Sequence, residues 1–147
     1  MKILVQRVDE VFIKIDGKIH SASGKGLLLF IGLKNGDNES LFPYFIDKII
    51  NLRIFEDHEG KMNLSVKEIN GDIAAVSQFT LYADTKKGRR PGFSESASPE
   101  TAEPLYNSFV SRLKDSGLKI SEGVFGAHME IGLINNGPAT FIIEKNV

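Results

Sequence analysis

One apolar segment constrains the fold more than any other part of the sequence. Residues 26–33 read Gly-Leu-Leu-Leu-Phe-Ile-Gly-Leu, so apolar side chains fall on both faces of an extended chain. A strand that is apolar on both faces must be covered on both sides, which predicts a central strand of a sheet. The apolar run is too short to cross a membrane. A second buried strand is predicted over residues 73–80.

Shorter segments of strand composition and two predicted helices surround these central strands. Residues 3–8 and 11–15 are rich in β-branched side chains, and Asp16-Gly17 is a hairpin turn signal. Apolar residues at helical spacing predict a helix over residues 39–52. The start signal Ser98-Pro99-Glu100 and the stop at Gly117 predict a second helix over residues 98–115. Pro104 falls inside the second helix, where we expect a kink or a short first segment.

Three further strands are predicted near the C-terminus, over residues 118–125, 128–134 and 140–144. Asn136, Gly137 and Pro138 are predicted to form the turn between the last two strands, because Asn-Gly is a strong turn signal. The predicted fold class is α+β, a single domain over residues 1–147. Its core is a mostly antiparallel sheet or barrel with two main helices.

Composition removes several classes of function. The chain has no cysteine, so disulfides, thiolate nucleophiles and Cys-ligated metal centres are excluded. His20, His58 and His128 lack metal-binding spacing, and no P-loop or dinucleotide fingerprint occurs, so we expect neither metal nor cofactor. The N-terminus does not resemble a signal peptide, and a cytoplasmic location is predicted. The net charge is −1, so a nucleic acid would have to bind a local basic patch.

Polar residues end the second buried strand. Strand alternation would place Ser77 and Phe79 on one face and Gln78 and Thr80 on the other. Taken alone, this pattern indicates a strand that emerges into solvent. It also suits a strand end that presents backbone N–H groups and hydroxyls to a ligand, as stabilisation of an oxyanion in acyl transfer requires.

A cluster of cations precedes the second helix. Four positive side chains occur within the five residues 86–90, namely Lys86, Lys87, Arg89 and Arg90. Such a run is usually a solvated loop. Followed by Phe93, it is also what binding to a phosphate chain and a base would use.

Together these segments resemble the D-aminoacyl-tRNA deacylases of the bacterial type. Residues 77–81 (Ser-Gln-Phe-Thr-Leu) and 136–140 (Asn-Gly-Pro-Ala-Thr) are similar to the family's two signature motifs. Matches at Gln6-Arg7-Val8 and at residues 51–55, 60–63 and 125–129 extend the resemblance over nearly the whole chain. The sequence departs from the family at Asn136, where the family often has Asp.

The resemblance implies hydrolysis of the ester that joins a D-amino acid, or mischarged glycine, to the terminal adenosine of tRNA. It implies a homodimer in which a cis Gly137-Pro138 segment of one subunit enters the pocket of the other and excludes L-amino acids. Ser77, Gln78, Phe79 and Thr80 match the catalytic positions, with the role of Thr80, nucleophile or structural, left open. Met129 and Arg7 match positions that line or brace the pocket, and the basic loop is the predicted tRNA contact.

This reaction suits the composition. An aminoacyl ester is already activated, so positioning and oxyanion stabilisation can suffice without a metal or strong nucleophile. Rejecting an L-amino acid by 10⁴-fold needs roughly 5.5 kcal/mol, which a rigid wall can supply by exclusion. Two alternatives are a non-catalytic RNA-binding module that uses residues 86–90, and an oligomeric scaffold without chemistry.

Overall fold

The computed structural model describes residues 1–147 as eight strands and two α-helices. The strands are β1 (Lys2–Ile15), β2 (Lys18–Ser23), β3 (Gly26–Gly32), β4 (Phe55–Glu56), β5 (Met62–Leu64), β6 (Asp72–Ser77), β7 (Ile120–Glu122) and β8 (Glu130–Glu144). The helices are α1 (Phe42–Asn51) and α2 (Pro99–Lys114), and short 3-10 turns cover Glu39–Leu41 and Phe79–Tyr82.

Strand β1 organises the sheet because it pairs with three other strands. Its first half pairs with β3 and its second half with β2, while β8 runs antiparallel along its other side. Beyond β3 the sheet continues through β6 to β7 with parallel pairing. The predicted mostly antiparallel sheet is confirmed, with the two parallel pairings, β3–β6 and β6–β7, towards one edge.

The sheet curls until its outer strands nearly meet, which gives the barrel-like core that was predicted. The two outer strands β2 and β7 are joined through side chains instead of a backbone ladder. The hydroxyl groups of Ser23 and Ser121 lie 2.5 Å apart, and Ser21 Oγ donates to the Glu122 carbonyl over 3.2 Å.

Both predicted helices pack on one face of the sheet around the larger of two apolar cores. Phe42 and Phe45 of α1 and Phe109 of α2 are almost fully buried there, against Ile3 and Leu29 of the sheet. Tyr106 ties α2 to β6, because its buried hydroxyl donates to the Ala75 carbonyl over 2.9 Å. A smaller core, which includes Val8, Leu28 and Val76, fills the other face. Neither helix has the length and apolar character needed to cross a membrane.

Some predicted boundaries are wrong, and long-range pairing explains most of them. Residues 3–8 and 11–15 belong to one strand, since β8 pairs across the polar break at Asp9 and Glu10. The second buried strand, β6, ends at Ser77 and not at Thr80. One helix runs through Pro104, so the short first segment is wrong. The β4–β5 hairpin was not predicted.

The largest correction concerns residues 136–138, which are not a turn between two strands. The strands predicted on either side of them are one strand, β8, and both halves pair with β1 in the same direction. Gln6 pairs with Thr140 and Val8 with Asn135, so Arg7 alone faces residues 136–139. This extra chain forms a large bulge, which we call the β8 bulge.

Candidate active site

A cleft of about 610 Å³ opens where β6 ends. Its walls come from the end of β6, the segment that leads into α2, and the segment between β7 and β8. The lining residues are Ile31, Leu33, Val76, Ser77, Gln78, Phe79, Phe93, Ser96, Ala97, Ser98, Pro99, Ala102, Phe125, Gly126, Ala127, His128, Met129 and Ile131. None of them is Asp, Glu, Lys or Arg, so the chemistry available here is that of backbone groups and neutral side chains.

The segment 78–82, called the β6 turn below, forms one wall of the cleft. Extended alternation stops at Gln78 (φ −145°, ψ 81°), and a 3-10 turn follows. As a result Ser77, Gln78 and Phe79 all line the cleft, although alternation had placed Gln78 on the opposite face. Gln78 N–H donates to the Ile31 carbonyl over 2.8 Å, whereas Phe79 and Thr80, as the first residues of the 3-10 turn, have N–H groups without a partner inside that turn. Such free donors are what a bound oxyanion requires.

An aromatic pair stands at the edge of the cleft. The rings of Phe79 and Phe93 pack edge to face with their centroids 5.0 Å apart. Both rings are nevertheless exposed, by 53% and 39% respectively. Ser96 Oγ donates to the Phe79 carbonyl over 3.1 Å and fixes the loop that carries Phe93 against the β6 turn. The pair is an exposed apolar surface at the edge of the cleft.

Thr80 lies outside the cleft lining. Its side chain is exposed, and its hydroxyl accepts a hydrogen bond from the Gln78 side-chain amide. This contact gives Thr80 a way to orient Gln78 without touching the cleft itself.

The wall opposite the β6 turn contains Met129 and His128. Met129 lies against Gly123, where an added Cβ would come within 2.5 Å of the Met129 sulfur. A glycine is therefore needed at position 123 for Met129 to occupy this place. His128 is exposed and is the one titratable side chain that lines the cleft.

Gly137 and Pro138 lie apart from the cleft of their own chain. They occupy the β8 bulge, their peptide bond is cis, and both residues are exposed. Ala139 next to them is 1% exposed and anchors the bulge in the protein. The structure therefore presents this predicted site segment on the surface of a single chain.

Arg7 holds the β8 bulge from within. The side chain is 4% exposed, and no carboxylate pairs with it. Its Nε donates to the Asn136 carbonyl over 2.9 Å, and a second nitrogen donates to Asn136 Oδ1 over 3.0 Å. A third donates to the Ile54 carbonyl over 2.5 Å. The side chain thus links the β8 bulge to the segment that precedes β4, without reaching the cleft.

Asn135 and Asn136 add further contacts to the bulge. The Asn135 amide donates to the Arg7 carbonyl over 3.0 Å, and the Asn136 amide donates to Asp9 Oδ1 over 2.8 Å. An amide at position 136 can therefore bind a carboxylate and accept from Arg7 at the same time, which a carboxylate at 136 could not do.

The basic loop, residues 86–90, also lies outside the cleft. Lys86, Lys87, Arg89 and Arg90 are all exposed, and none of them forms an ion pair. Two backbone hydrogen bonds between Asp84 and Gly92, of 2.8 and 2.9 Å, close the base of the loop. Phe93 follows directly, so the loop projects from the edge of the cleft.

The carboxylates with shifted pKa values belong mainly to loops and helix ends. Hydrogen bonds from the Asn63 side chain and the Lys61 backbone lower the pKa of Asp57. A hydrogen bond from Ser98 lowers the pKa of Glu100 in the first turn of α2. No group of three or more His, Asp or Glu side chains is arranged to hold a metal ion.

The sequence-based interpretation missed most of the cleft lining. Ala97, Pro99 and Ala102 reach the cleft because α2 begins there, and no residue-type signal marks them. Phe125 to His128 were noticed only through the family resemblance. Phe93 was the exception, since an aromatic residue after a basic run indicated base binding.

Comparison with known proteins gives a consistent result. Residues 4–144 match the family model described as D-Tyr-tRNA(Tyr) deacylase. A D-aminoacyl-tRNA deacylase from Halothermothrix orenii is 52% identical over 146 residues, covering 99% of this chain and 98% of the relative. One from Aquifex aeolicus is 47% identical over 145 residues, with 99% and 98% coverage.

Solved structures agree with these relatives. A protein described as c-Myc DNA unwinding element binding protein superposes with a TM-score of 0.93 at 37% identity, covering 100% of both chains. A probable eukaryotic D-amino acid tRNA deacylase superposes with a TM-score of 0.82 at 18% identity and 97% coverage of both chains, which shows the fold. The predicted family and enzyme class are confirmed: the chain belongs to the D-Tyr-tRNA(Tyr) deacylase family.

Proposed function

We propose that this protein hydrolyses the ester bond of D-aminoacyl-tRNA and releases the free D-amino acid and tRNA. The observation that carries the proposal is identity of about half of all residues, over nearly the full length, with D-aminoacyl-tRNA deacylases. The cleft is consistent with it, because apart from His128 its lining consists of backbone groups and uncharged side chains. An activated ester is a substrate that such a site can hydrolyse.

In the proposed reaction, a water molecule attacks the ester carbonyl carbon and the carbonyl oxygen becomes an oxyanion. The N–H group of Phe79, which lines the cleft, stabilises that oxyanion, with Ser77 and Gln78 positioning the ester. The carbon–oxygen bond to the ribose then breaks, and the ribose oxygen takes the proton that the water lost. The neighbouring ribose hydroxyl assists this proton transfer.

The terminal adenosine is proposed to lie on the aromatic pair. An exposed Phe79 and Phe93 provide a surface on which a base can stack, and stacking contributes about 1–3 kcal/mol per base. The basic loop precedes Phe93. Its side chains Lys86, Lys87, Arg89 and Arg90 are therefore proposed to contact the phosphates on the 5′ side of this adenosine.

Selection of the D-enantiomer is proposed to require a second subunit. Gly137 and Pro138 are exposed on a braced bulge and lie outside the cleft of their own chain. Ile134 and Ile142 of the same strand are 52% and 63% exposed, and exposed apolar side chains on one strand suit a protein interface. In a homodimer, the β8 bulge of one subunit would enter the cleft of the other as a wall against L side chains, facing Met129.

The proposed wall also has a consequence for tRNA that carries glycine. Glycine has no side chain for the wall to exclude, so glycine attached to tRNA is proposed as a second substrate. A wall built from backbone would also accept many different D side chains, because it contacts the chiral centre and not the side-chain end.

The decisive experiment compares hydrolysis of D-tyrosyl-, L-tyrosyl- and glycyl-tRNA by the same protein, with chelator present. We expect rapid loss of the D-tyrosyl and glycyl esters and a spared L-tyrosyl ester. Equal hydrolysis of both tyrosyl esters would indicate a general esterase and contradict the wall. Binding of tRNA without hydrolysis would favour a non-catalytic RNA-binding module.

A further inference from the structure

Two lysine–tyrosine contacts flank the end of the sheet where β1 begins and β8 ends. Lys2 Nζ lies 4.7 Å from the centroid of the Tyr82 ring. On the other side, Lys145 Nζ lies 4.3 Å and Lys48 Nζ 5.9 Å from the centroid of the Tyr44 ring. Lys2 and Lys145 are adjacent through the strand pairing, because Lys2 pairs with Glu144. We call these five residues, Lys2, Tyr44, Lys48, Tyr82 and Lys145, the lysine–tyrosine rim.

The rim lysines differ from the ion-paired lysines in how their ammonium groups are held, and Lys14, whose Nζ lies 5.2 Å from the centroid of the Phe12 ring, shares this arrangement outside the rim. Lys61, Lys114 and Lys119 each lie within 3.0 Å of a carboxylate, which cancels most of their charge. Lys48 and Lys145 form no ion pair and are held over an aromatic ring, which carries no net charge. A ring contact positions a cation and leaves its charge available for an anion. Lys2 is an intermediate case, since Glu144 Oε1 lies 3.5 Å away.

The rim begins directly behind the cleft. Lys2 Nζ lies 3.5 Å from the carbonyl of Leu81 in the β6 turn, whose first residues line the cleft. A small depression of about 170 Å³ joins Lys2 and Tyr82 to Thr85 and Lys86. Asp84 and Glu95 also line it, and one Asp84 oxygen accepts from the Lys86 backbone N–H over 2.9 Å. The rim is therefore continuous with the basic loop.

We propose that the lysine–tyrosine rim binds the phosphate backbone of the base-paired stem next to the 3′ end of tRNA. The inference rests on the proposed function, which places the terminal adenosine in the cleft. A tRNA strand that leaves the cleft past the β6 turn would reach Lys2 and Lys86 first, and then Lys145 and Lys48. Lysines spaced on both sides of a sheet end suit the repeated phosphates of a duplex, and contacts of this kind carry no sequence information.

The test compares K48E/K145E with the matched control K18E/K67E, which changes the net charge equally. Lys18 and Lys67 are exposed and belong to no ion pair or ring contact. We expect K48E/K145E to weaken binding of uncharged full-length tRNA by about 10-fold or more at moderate salt, and to lower the slope of log K against log salt by about 1.5. The control should retain most of the affinity. K48Q/K145Q should show a smaller loss in the same direction.

The same variants are assayed on a D-tyrosylated CCA trinucleotide, which has no stem. K48E/K145E should hydrolyse this short substrate at the unaltered rate, while its KM for D-tyrosyl-tRNA rises and kcat stays the same. Equal loss of tRNA affinity in both charge-reversal variants, or no loss in either, would overturn the rim proposal. Failure of the unaltered protein to hydrolyse either substrate would instead overturn the proposed function, and the tRNA affinities would still decide on the rim.

Discussion

The β6 turn and the β8 bulge are both places where polar residues interrupt a strand, but their surroundings differ. The first residues of the β6 turn line a cleft in their own chain, and the Phe79 N–H has no partner inside the 3-10 turn. The β8 bulge lies outside the cleft, exposed, and is braced from within by Arg7. The β6 turn therefore belongs to a concave surface that can accept a ligand, and the β8 bulge is a protrusion that can enter one. A single chain holds both parts without bringing them together, which is the physical reason to propose a dimer.

The largest expected effect comes from mixing two inactive variants. Ala127→Trp fills the cleft and leaves the bulge intact. Gly137→Val alters the bulge and leaves the cleft intact, and it fits within its own chain because an added Cβ has no neighbour closer than 3.5 Å. If sites are shared, mixed dimers regain one working site, and a randomised equal mixture should recover about a quarter of the unaltered D-tyrosyl-tRNA deacylase activity.

Size-exclusion chromatography and circular dichroism of each variant serve as controls for folding and assembly. A mixture that stays as inactive as its components, although subunits exchange, would contradict a shared site. It would then leave the β8 bulge without a catalytic role.

The next effect concerns the bracing of the bulge. Arg7→Met keeps much of the side-chain volume but leaves the carbonyls of Asn136 and Ile54 without their donor. We expect a loss of about 3 kcal/mol in the free energy of unfolding, because a buried polar group left unpaired costs about 1–3 kcal/mol. Urea denaturation measures this loss. Gln6→Met, at the neighbouring and weaker contact with Thr140 (3.4 Å), is the control and should cost much less.

A smaller effect is expected at the aromatic pair beside the β6 turn. Phe93→Ala removes one exposed ring, and losing a stacked base should raise the KM for D-tyrosyl-tRNA by about 10-fold, with little change in kcat. Inhibition by free adenosine should weaken by a similar factor. Phe93→Tyr keeps the ring and should behave like the unaltered protein. A fall in kcat with unchanged KM would place Phe93 in the chemical step instead.

The smallest effect is expected for Thr80→Val. The hydroxyl of Thr80 contacts the Gln78 amide and does not line the cleft, so its loss should lower kcat by a factor of only about 2–10, as for one hydrogen bond to a neutral group. Single-turnover hydrolysis of D-tyrosyl-tRNA measures this. Thr80→Ser, which keeps the hydroxyl, should restore the rate. If Thr80 were the nucleophile, Thr80→Val would abolish hydrolysis, with no residual rate of this size.

Some parts of the fold follow from local sequence patterns, and others depend on pairing between distant segments. The central strand β3 and helix α1 were predicted correctly because local apolar periodicity is enough to define them. The β8 bulge was misread as a turn because Asn136-Gly137 has turn propensity whether or not the chain reverses. What keeps β8 straight is pairing with β1, more than 120 residues away in the sequence, and Arg7 at the mismatch. Local patterns contain no information on that partner.

The residues of the candidate site also fall into those that the sequence indicated and those that it could not indicate. The polar strand end drew attention to Ser77, Gln78 and Phe79, but family resemblance singled them out as site residues, as it did Met129, and all four line the cleft. Ala97 and Ala102 could not have been found, since they line the cleft only through the angle at which α2 meets the sheet. The separation of Gly137 and Pro138 from the cleft also becomes visible only in three dimensions.

The β8 bulge exists because β8 has more residues than the segment of β1 that it faces. One residue of β1 faces the four residues 136–139. Substitutions at these positions change side chains and leave that count unaltered, so many of them should preserve the shape of the bulge. A deletion of three of these residues would restore an even ladder and erase the protrusion. The shape of the bulge therefore depends more on the number of residues in this segment than on their identities, and insertions and deletions should disturb it most.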